Sequence, residues 1–331
     1  MKAVPVSTHE TIIAGVDAHK DTHHVTILTR TGEKIADQQF NATTSGYSKL
    51  LDWVAGFGAV DKIGLESTRS YAAGLSRFLV DHEIDVREVN IPHSHTKARL
   101  GKSDAIDSEA AARKTLAGEA SAVPKVSTGI IESIRELTVV RASAVKARTV
   151  AFVQLQDVAI TAPASLRERL DARSGKGLAR QCAKLRADGD RLDDPAQAAK
   201  LCRHGLAHRD LDTEIATLDA RLDKLVTIAA PTLLSRVGIS TRHAAQFVIT
   251  AGENIDRLTS EAAFARLCGT APIPVSSGKS HRRRLHRGGD RQANRALHID
   301  TVCRLRYDER TIATWSVGRA RDCRRRTSCG A

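Results

Sequence analysis

At 331 residues and 41% hydrophobic side chains, the chain is long enough for two or three folded units; with only 3% aromatic residues, their cores must be built from Ala, Val, Leu and Ile. A formal charge of +13 and a pI of about 9.8 argue against an acidic or charge-neutral surface and make a polyanion the first partner to expect. No apolar run reaches the roughly 18 residues of a membrane span, the first residues lack a signal-peptide core, and the six cysteines show no C-x-x-C or zinc-finger spacing, so the expectation is a cytoplasmic protein with reduced thiols and no membrane partner.

In chain order, Thr11 to Thr29 reads as two strands joined by a short turn, with Asp17 at the end of the first strand. Lys34 to Phe40 is a third strand. Ser45 to Val54 is helical, with Leu50, Leu51 and Val54 on one face. Lys62 to Glu66 is a short buried strand ending in a carboxylate. Tyr71 to Val80 is helical and Ile84 to Val89 a strand. Ser103 caps a helix with an acidic first turn, which Gly118 closes. Three strands, helix, strand, helix, strand, helix is the order of a ribonuclease-H-like α/β domain.

Four carboxylates fall where such a domain can build a metal centre: Asp17, Glu66, and Asp104 with Asp107 three apart on one helix face. Converging carboxylates repel one another unless they hold hard cations, and Mg²⁺ takes oxygen ligands. Two such ions polarise a phosphate and activate an attacking oxygen. Each residue also has a plainer reading. Asp17 can be a turn former, Glu66 can cap the next helix, and Asp104 and Asp107 can complement the helix dipole. His19, His23 and His24 lie beside Asp17 and read as solvated turn histidines rather than ligands.

After Val123-Pro124 the pattern changes. Ile130, Leu137, Ala144, Ala151 and Val158 recur every seven residues, with Arg141 and Arg148 interrupting a second row. This long helix ends or kinks at Pro163. Ser174 to Pro195, with Gly175, Gly177 and Gly189, reads as a loop-rich connection. Leu211, Ile215, Leu218, Leu222 and Leu225 give a second long helix ending at Pro231. The pair forms an antiparallel or dimerising coiled coil, or a helical hairpin packed on itself; either way it is a spacer without chemistry.

Leu233 to Ala245 resembles half of a helix-hairpin-helix, with a turn at Val237-Gly238-Ile239 and Ser240 or Thr241 as the next cap. Thr259-Ser260-Glu261 opens another helix, with Phe264 and Leu267 facing the core. Then comes APIPVSSGKSHRRRLHRGGDRQANRALH, residues 271–298. Ser276, Ser277 and Gly278 are expected in a loop stiffened by Pro272 and Pro274. A serine hydroxyl needs a base, a metal or a positive field to act as a nucleophile, and no His–Asp partner is evident by spacing. The cations at hand are Lys279, Arg282, Arg283, Arg284 and Arg287, followed by a Gly288-Gly289 turn and by Arg291, Asn294 and Arg295 on the last helix. From Lys279 to the end, fifteen Lys or Arg face five Asp or Glu, so this stretch carries +10 of the +13. Phosphate contact is the expected use.

GVDAHK with Asp17, GLEST with Glu66 and KSDAIDSEAAA with Asp104 and Asp107 resemble the DEDD domain of a bacterial insertion-sequence transposase family, the IS-one-ten family. The stretch from SRVGIS through PVSSGKSHRRRLHRGGDRQANRALH is similar to that family's second, serine-bearing domain, and the resemblance spans roughly residues 10 to 310. It implies a RuvC-like DEDD domain over 10–122, a helical coiled-coil region over 123–230, a mainly α serine domain over 231–310 and a basic tail over 311–331. It also implies a DNA recombinase acting on donor and target DNA, with Mg²⁺ on Asp17, Glu66, Asp104 and Asp107. The serine would form a covalent phosphoserine link to DNA; the nucleophile precedes the glycine, which selects Ser277 with Ser276 as runner-up. A structured bridge RNA as guide, a homodimer or homotetramer, and a nucleoid-associated location complete what it implies. Within such assemblies the carboxylate domain of one subunit meets the serine domain of another. After Arg310 the sequence departs from the family's regular helical tail: it is Arg-rich, carries Cys323 and Cys329, and reads as a frameshifted or truncated terminus. Two other functions therefore stand beside the first, a metal-dependent RuvC-like junction nuclease using the carboxylates alone, and a catalytically impaired nucleic-acid-binding relic.

Overall fold

The computed structural model of the chain describes residues 9–68, 70–90, 103–125, 128–170, 175–185, 195–278, 280–286 and 288–317. It divides into two compact units, one within Met1–Thr128 and Ala251–Glu261, the other within Gly129–Thr250 and Ala262–Ala331.

The first unit is built on one mixed sheet. Strands β1 (His9–Ala18), β2 (Thr22–Thr29) and β3 (Lys34–Asn41) form an antiparallel meander. After helix α1 (Thr44–Ala55), β4 (Gly58–Leu65) lies parallel to β1; after α2 (Ala73–Asp81), β5 (Val86–Glu88) lies parallel to β4. The sheet order is β3-β2-β1-β4-β5, which fits a ribonuclease-H-like domain. Alternation along β1 sends Ile12, Ala14 and Val16 into a core shared with Leu50 and Val54 of α1, Leu75 and Leu79 of α2, and Ile63 and Leu65 of β4. Strand β4 starts at Gly58, earlier than the apolar run suggests, and stops one residue before Glu66. Strand β5 keeps only three of its six expected residues.

Helix α3 (Asp104–Leu116) covers the opposite face. Ser103 caps it as expected, its hydroxyl accepting from the Ile106 N–H at 3.3 Å. What lets α3 settle is a pair of glycines in register, Gly15 on β1 and Gly64 on β4. A Cβ on Gly15 would lie 2.1 Å from Ala112 N and 2.4 Å from Ser108 O; one on Gly64 would lie 2.0 Å from Thr115 Oγ1. The helix answers with small buried residues, Ser108, Ala111, Ala112 and Thr115. Thr26 Oγ1 and Ser108 Oγ close the contact with a 2.8 Å hydrogen bond.

The second unit is mostly helical. Two long helices, α4 (Gly129–Ile160) and, after α5 (Gly175–Cys182), α6 (Pro195–Ala229), pack against each other. The arginines that interrupt the heptad row of α4 set its register. Arg141 is ion-paired with Asp219, and Arg148 Nη1 lies 2.6 Å from Asp212 Oδ1. A step of seven residues up α4 matches seven residues down α6, which is the register of an antiparallel pair. Each half-exposed pair contributes on the order of 1 kcal/mol or less; the apolar clusters contribute more. Leu155 and Val158 pack with Leu178, Cys182 and Leu201 at one end, and Ile134 packs with Leu222, Val226 and Ala245 at the other.

The connection between the long helices differs from the sequence reading. Gly175–Cys182 is not loop but helix α5, because Leu178, Ala179 and Cys182 form a buried stripe. That packing outweighs the two glycines at its start; Gly189 lies outside the described residues. For the same reason α6 begins at Pro195 rather than near Leu211, burying Ala198 and Leu201. Helices α7 (Thr241–Ala251) and α8 (Glu261–Leu267) follow, then strands β6 (Pro272–Ser277) and β7 (Ser280–Leu285), α9 (Arg291–Tyr307) and a helical stretch over 309–317. Among the described residues no helix is long and apolar enough to cross a membrane.

The glycine seat under α3 makes a testable difference between two substitutions. Gly15→Ala drives a methyl into helix backbone and is expected to cost about 1–3 kcal/mol, the usual range for overpacking. Gly64→Ala meets the Thr115 side chain first, so its loss should be partly recovered in Gly64→Ala/Thr115→Ala. Urea denaturation measures both; an unchanged midpoint for Gly15→Ala would contradict the close seating of α3.

Candidate active site

Residues Ile13, Gly15 and Asp17 alternate onto the α3 face of β1, so the seating of the helix decides what surrounds Asp17. Asp17 is buried, and burial pushes its carboxyl above the ordinary aspartate value. His19 pulls the other way, while the carboxylates of Asp107 and then Asp104 push it further up. Asp107 is itself buried and Asp104 half-exposed, both in the first turn of α3. An acidic residue that served only the helix dipole would stay in solvent. Asp107 lies inward, close enough to Asp17 to be felt.

Glu66 follows β4 directly. Its backbone N–H donates to Val16 O at 3.2 Å, which sets it beside Asp17 at the carboxyl ends of two parallel strands. Ser67, at φ 59°, turns the chain sharply away behind it. Glu66 does not cap α2, which starts at Ala73 after Ala72 and has no side-chain cap.

The three histidines take three different places. His19 is a part-exposed turn residue, as expected, but its Nε2 stands 3.2 Å from Asp17 Oδ2 and 3.3 Å from Asp104 Oδ1, so its ring faces carboxylates as well as solvent. His24 pairs with Asp37 at 2.8 Å. His23 is fully buried, stacked on Tyr47, with neither ring nitrogen hydrogen-bonded among the described residues; burial holds it below the ordinary imidazole range. Ligand atoms of Asp17, His19 and Asp104 all lie within 4.8 Å of one another. Clustered carboxylates with an imidazole between two of them fit a divalent cation, which removes the mutual repulsion the free groups suffer.

The serines are placed by a different element from the expected loop. Ser276 and Ser277 end strand β6 of a two-stranded hairpin, and Gly278, at φ 57°, starts its turn. The hairpin stands clear of any core, with Ser276, Ser277, Arg282, Arg283 and Arg284 all exposed. Residues paired across an antiparallel ladder share a face. The pairs Val275–Arg282 and Ile273–Arg284 therefore put two arginines on the face of Ser277, and Pro274–Arg283 puts one on the face of Ser276. Lys279 and Arg287 lie outside the described residues. Arg291 and Arg295 are exposed on α9.

The hairpin base is held firmly. Asn294 turns inward, its amide donating to Cys268 O at 3.0 Å. Asp290 caps α9, accepting from the Gln292 N–H at 2.9 Å, and its other oxygen accepts from Thr250 Oγ1 at 2.8 Å and Gln246 Nε2 at 3.1 Å. A Cβ on Gly289 would lie 2.4 Å from Gly269 N. A cavity of about 300 Å³ lined by Cys268, Leu285, His286 and Arg291 opens beside this base. Ser240 caps α7 as expected, accepting from the His243 N–H at 3.3 Å.

One pair was not foreseen. His243 Nδ1 is hydrogen-bonded to the buried Asp300 carboxylate, whose Oδ2 meets no donor among the described residues. Burial raises the Asp300 carboxyl above its ordinary value, against the pull of His243. The signal was the buried face of α9, where Asp300 follows Ala293 and Ala296 at helical spacing.

Comparison with known families returns two matches. Residues 14–159 match a transposase family model of the DEDD, IS110 type, a span that contains all four carboxylates. Residues 230–316 match the model described as Transposase IS116/IS110/IS902 family, a span that contains both serines. Curated proteins offer no match.

A buried carboxylate beside two others burdens the fold until a cation arrives. In a chelator, Asp17→Asn is therefore expected to raise the melting temperature by about 2–4 °C, the shift for roughly 1 kcal/mol. Added divalent cation should then stabilise the wild type but not the variant. Thermal denaturation with and without cation checks it, and a variant less stable in chelator yet still stabilised by cation would contradict this picture.

Proposed function

The chain belongs to the IS116/IS110/IS902 family of insertion-sequence transposases, which are DNA recombinases, and from that premise we propose that it cuts and rejoins DNA with chemistry divided between a carboxylate centre and a serine. The observation that carries this is the exposed hairpin tip, where Ser277 stands on the face that bears Arg282 and Arg284, with no core to serve.

In this reading the Ser277 Oγ attacks the phosphorus of a DNA phosphodiester. The serine–phosphate bond forms as the bond to the leaving strand breaks. The serine hydroxyl releases its proton to solvent as it attacks, and the electron pair of the broken bond goes to the leaving oxygen, which takes up a proton from solvent and becomes a free hydroxyl end. Arg282 and Arg284 stabilise the charge that builds on the phosphate. A hydroxyl end from another strand then attacks the phosphoserine, restores the serine and seals the new junction. The phosphodiester energy is kept throughout, so no nucleotide cofactor is needed. Asp17, Glu66, Asp104 and Asp107 would hold Mg²⁺, which when bound supplies Lewis-acid polarisation of phosphate oxygens.

The remaining parts of the proposal rest on the family and on charge. Excess positive charge from Lys279 onward suits donor and target DNA. It also suits a structured bridge RNA that selects both DNAs by base pairing. A homodimer or homotetramer, with the carboxylates of one subunit serving the serine of another, and a place on the bacterial nucleoid follow from the same reading. Asn294 also fixes the hairpin base through its amide on Cys268 O.

Labelled donor DNA on a denaturing protein gel tests the serine. Wild type should form a covalent adduct in Mg²⁺ and none in chelator; Ser277→Ala should abolish it, and Ser276→Ala should keep it. Arg282→Ala should slow adduct formation by about 10²-fold, the scale of one lost charge-stabilising donor. Loss in Ser276→Ala alone would move the nucleophile by one residue. Cleavage by the double Ser276→Ala/Ser277→Ala protein with free ends would instead establish a carboxylate-only nuclease.

A further inference from the structure

His19 lies one residue beyond β1, and its backbone N–H donates to Thr22 O at 2.9 Å, so a closed turn rather than a loose arm delivers its ring. The ring brings one nitrogen, Nε2, to two carboxylates at once, 3.2 Å from Asp17 Oδ2 and 3.3 Å from Asp104 Oδ1. A ring nitrogen carries at most one proton, so the two oxygens can at best share it in a weakened three-centre bond. Neither of the other histidines nearby is free to do the same. His24 is paired with Asp37, and His23 is sealed in the core against Tyr47.

A divalent cation resolves this arrangement in a way a proton does not. It binds both carboxylates and the nitrogen lone pair together, and the three ligand atoms already lie within 4.8 Å of one another. We propose that His19 is a direct ligand of the divalent cation in the carboxylate centre, and that this nitrogen donor makes the centre prefer Mn²⁺ to Mg²⁺. The inference rests on the reading that Asp17 and its neighbours hold a cation, and adds the donor that sets which one. Mg²⁺ demands hard oxygen ligands and keeps its waters. Imidazole nitrogen suits first-row transition ions better than Mg²⁺, and Mn²⁺ is the one among them that also keeps an oxygen-rich octahedral set such as these carboxylates offer.

The test is metal binding to the full-length chain, read without DNA. Electron spin-echo spectroscopy of the Mn²⁺-loaded protein should show modulation from a directly bound ¹⁴N, absent in His19→Ala. Titration calorimetry should show Mn²⁺ binding weakened about tenfold or more in His19→Ala, with Mg²⁺ binding changed much less. A wild-type protein that binds Mn²⁺ with no nitrogen signal overturns the proposal, even if the variant does not fold. So does equal Mn²⁺ affinity in wild type and His19→Ala. Asp17→Asn separates the two layers. If it binds Mn²⁺ as tightly as wild type, the carboxylate centre itself is refuted; if it loses Mn²⁺ while wild type shows no nitrogen signal, the centre stands and only the role of His19 falls.

Discussion

The first unit depends on how closely α3 can lie on its sheet. Two glycines in register, Gly15 and Gly64, leave the centre of β1 and β4 without side chains on that face. The backbone of α3 occupies the space, held by Ser108, Ala111, Ala112 and Thr115. With any larger residue at Gly15 the helix would have to stand off. The first turn of α3 would then carry Asp104 and Asp107 away from Asp17. A packing constraint in the middle of the helix thus sets the electrostatics at its end, and the burial of Asp17 follows from it.

That arrangement is unfavourable by itself. Burial and neighbouring like charges both oppose an ionised Asp17, and one imidazole N–H shared between two carboxylates compensates them only in part. A fold that seats such a group tightly stores a preference for a cation. The second unit is built on the opposite principle. Its hairpin carries arginines and two serines away from any core, while Asp290, Asn294 and the Gly269–Gly289 approach hold the base. One unit concentrates negative charge under cover; the other displays positive charge in the open. In the proposed recombination, the first would hold metal and the second phosphate.

Much of the first unit was legible because its strands and helices bury regular apolar faces. Ile12, Ile13 and Val16 form one apolar run and Val25, Ile27 and Leu28 another, Leu50 and Val54 recur at helical spacing, and Ser103 marks the start of α3. Helix α4 and the second half of α6, from Leu211 on, were legible in the same way, and their hairpin register became clear only once Arg141 and Arg148 met Asp219 and Asp212 across it. Four features were hidden for identifiable reasons. Helix α5 begins with Gly175 and Gly177, and the stripe that stabilises it, Leu178, Ala179 and Cys182, is too short to show a period. The β6–β7 hairpin buries almost nothing, so its prolines and arginines leave no alternation to read. His19 and the His243–Asp300 pair depend on partners 85 and 57 residues away, which spacing along the chain does not reveal.

The divided chemistry is tested most directly by trapping the protein–DNA adduct, digesting it and locating the attached nucleotide by tandem mass spectrometry. The nucleotide is expected on Ser277, and only from protein whose Asp17 is intact. A nucleotide on a residue outside the β6–β7 hairpin, or an adduct formed in equal yield by Asp17→Asn, would contradict it.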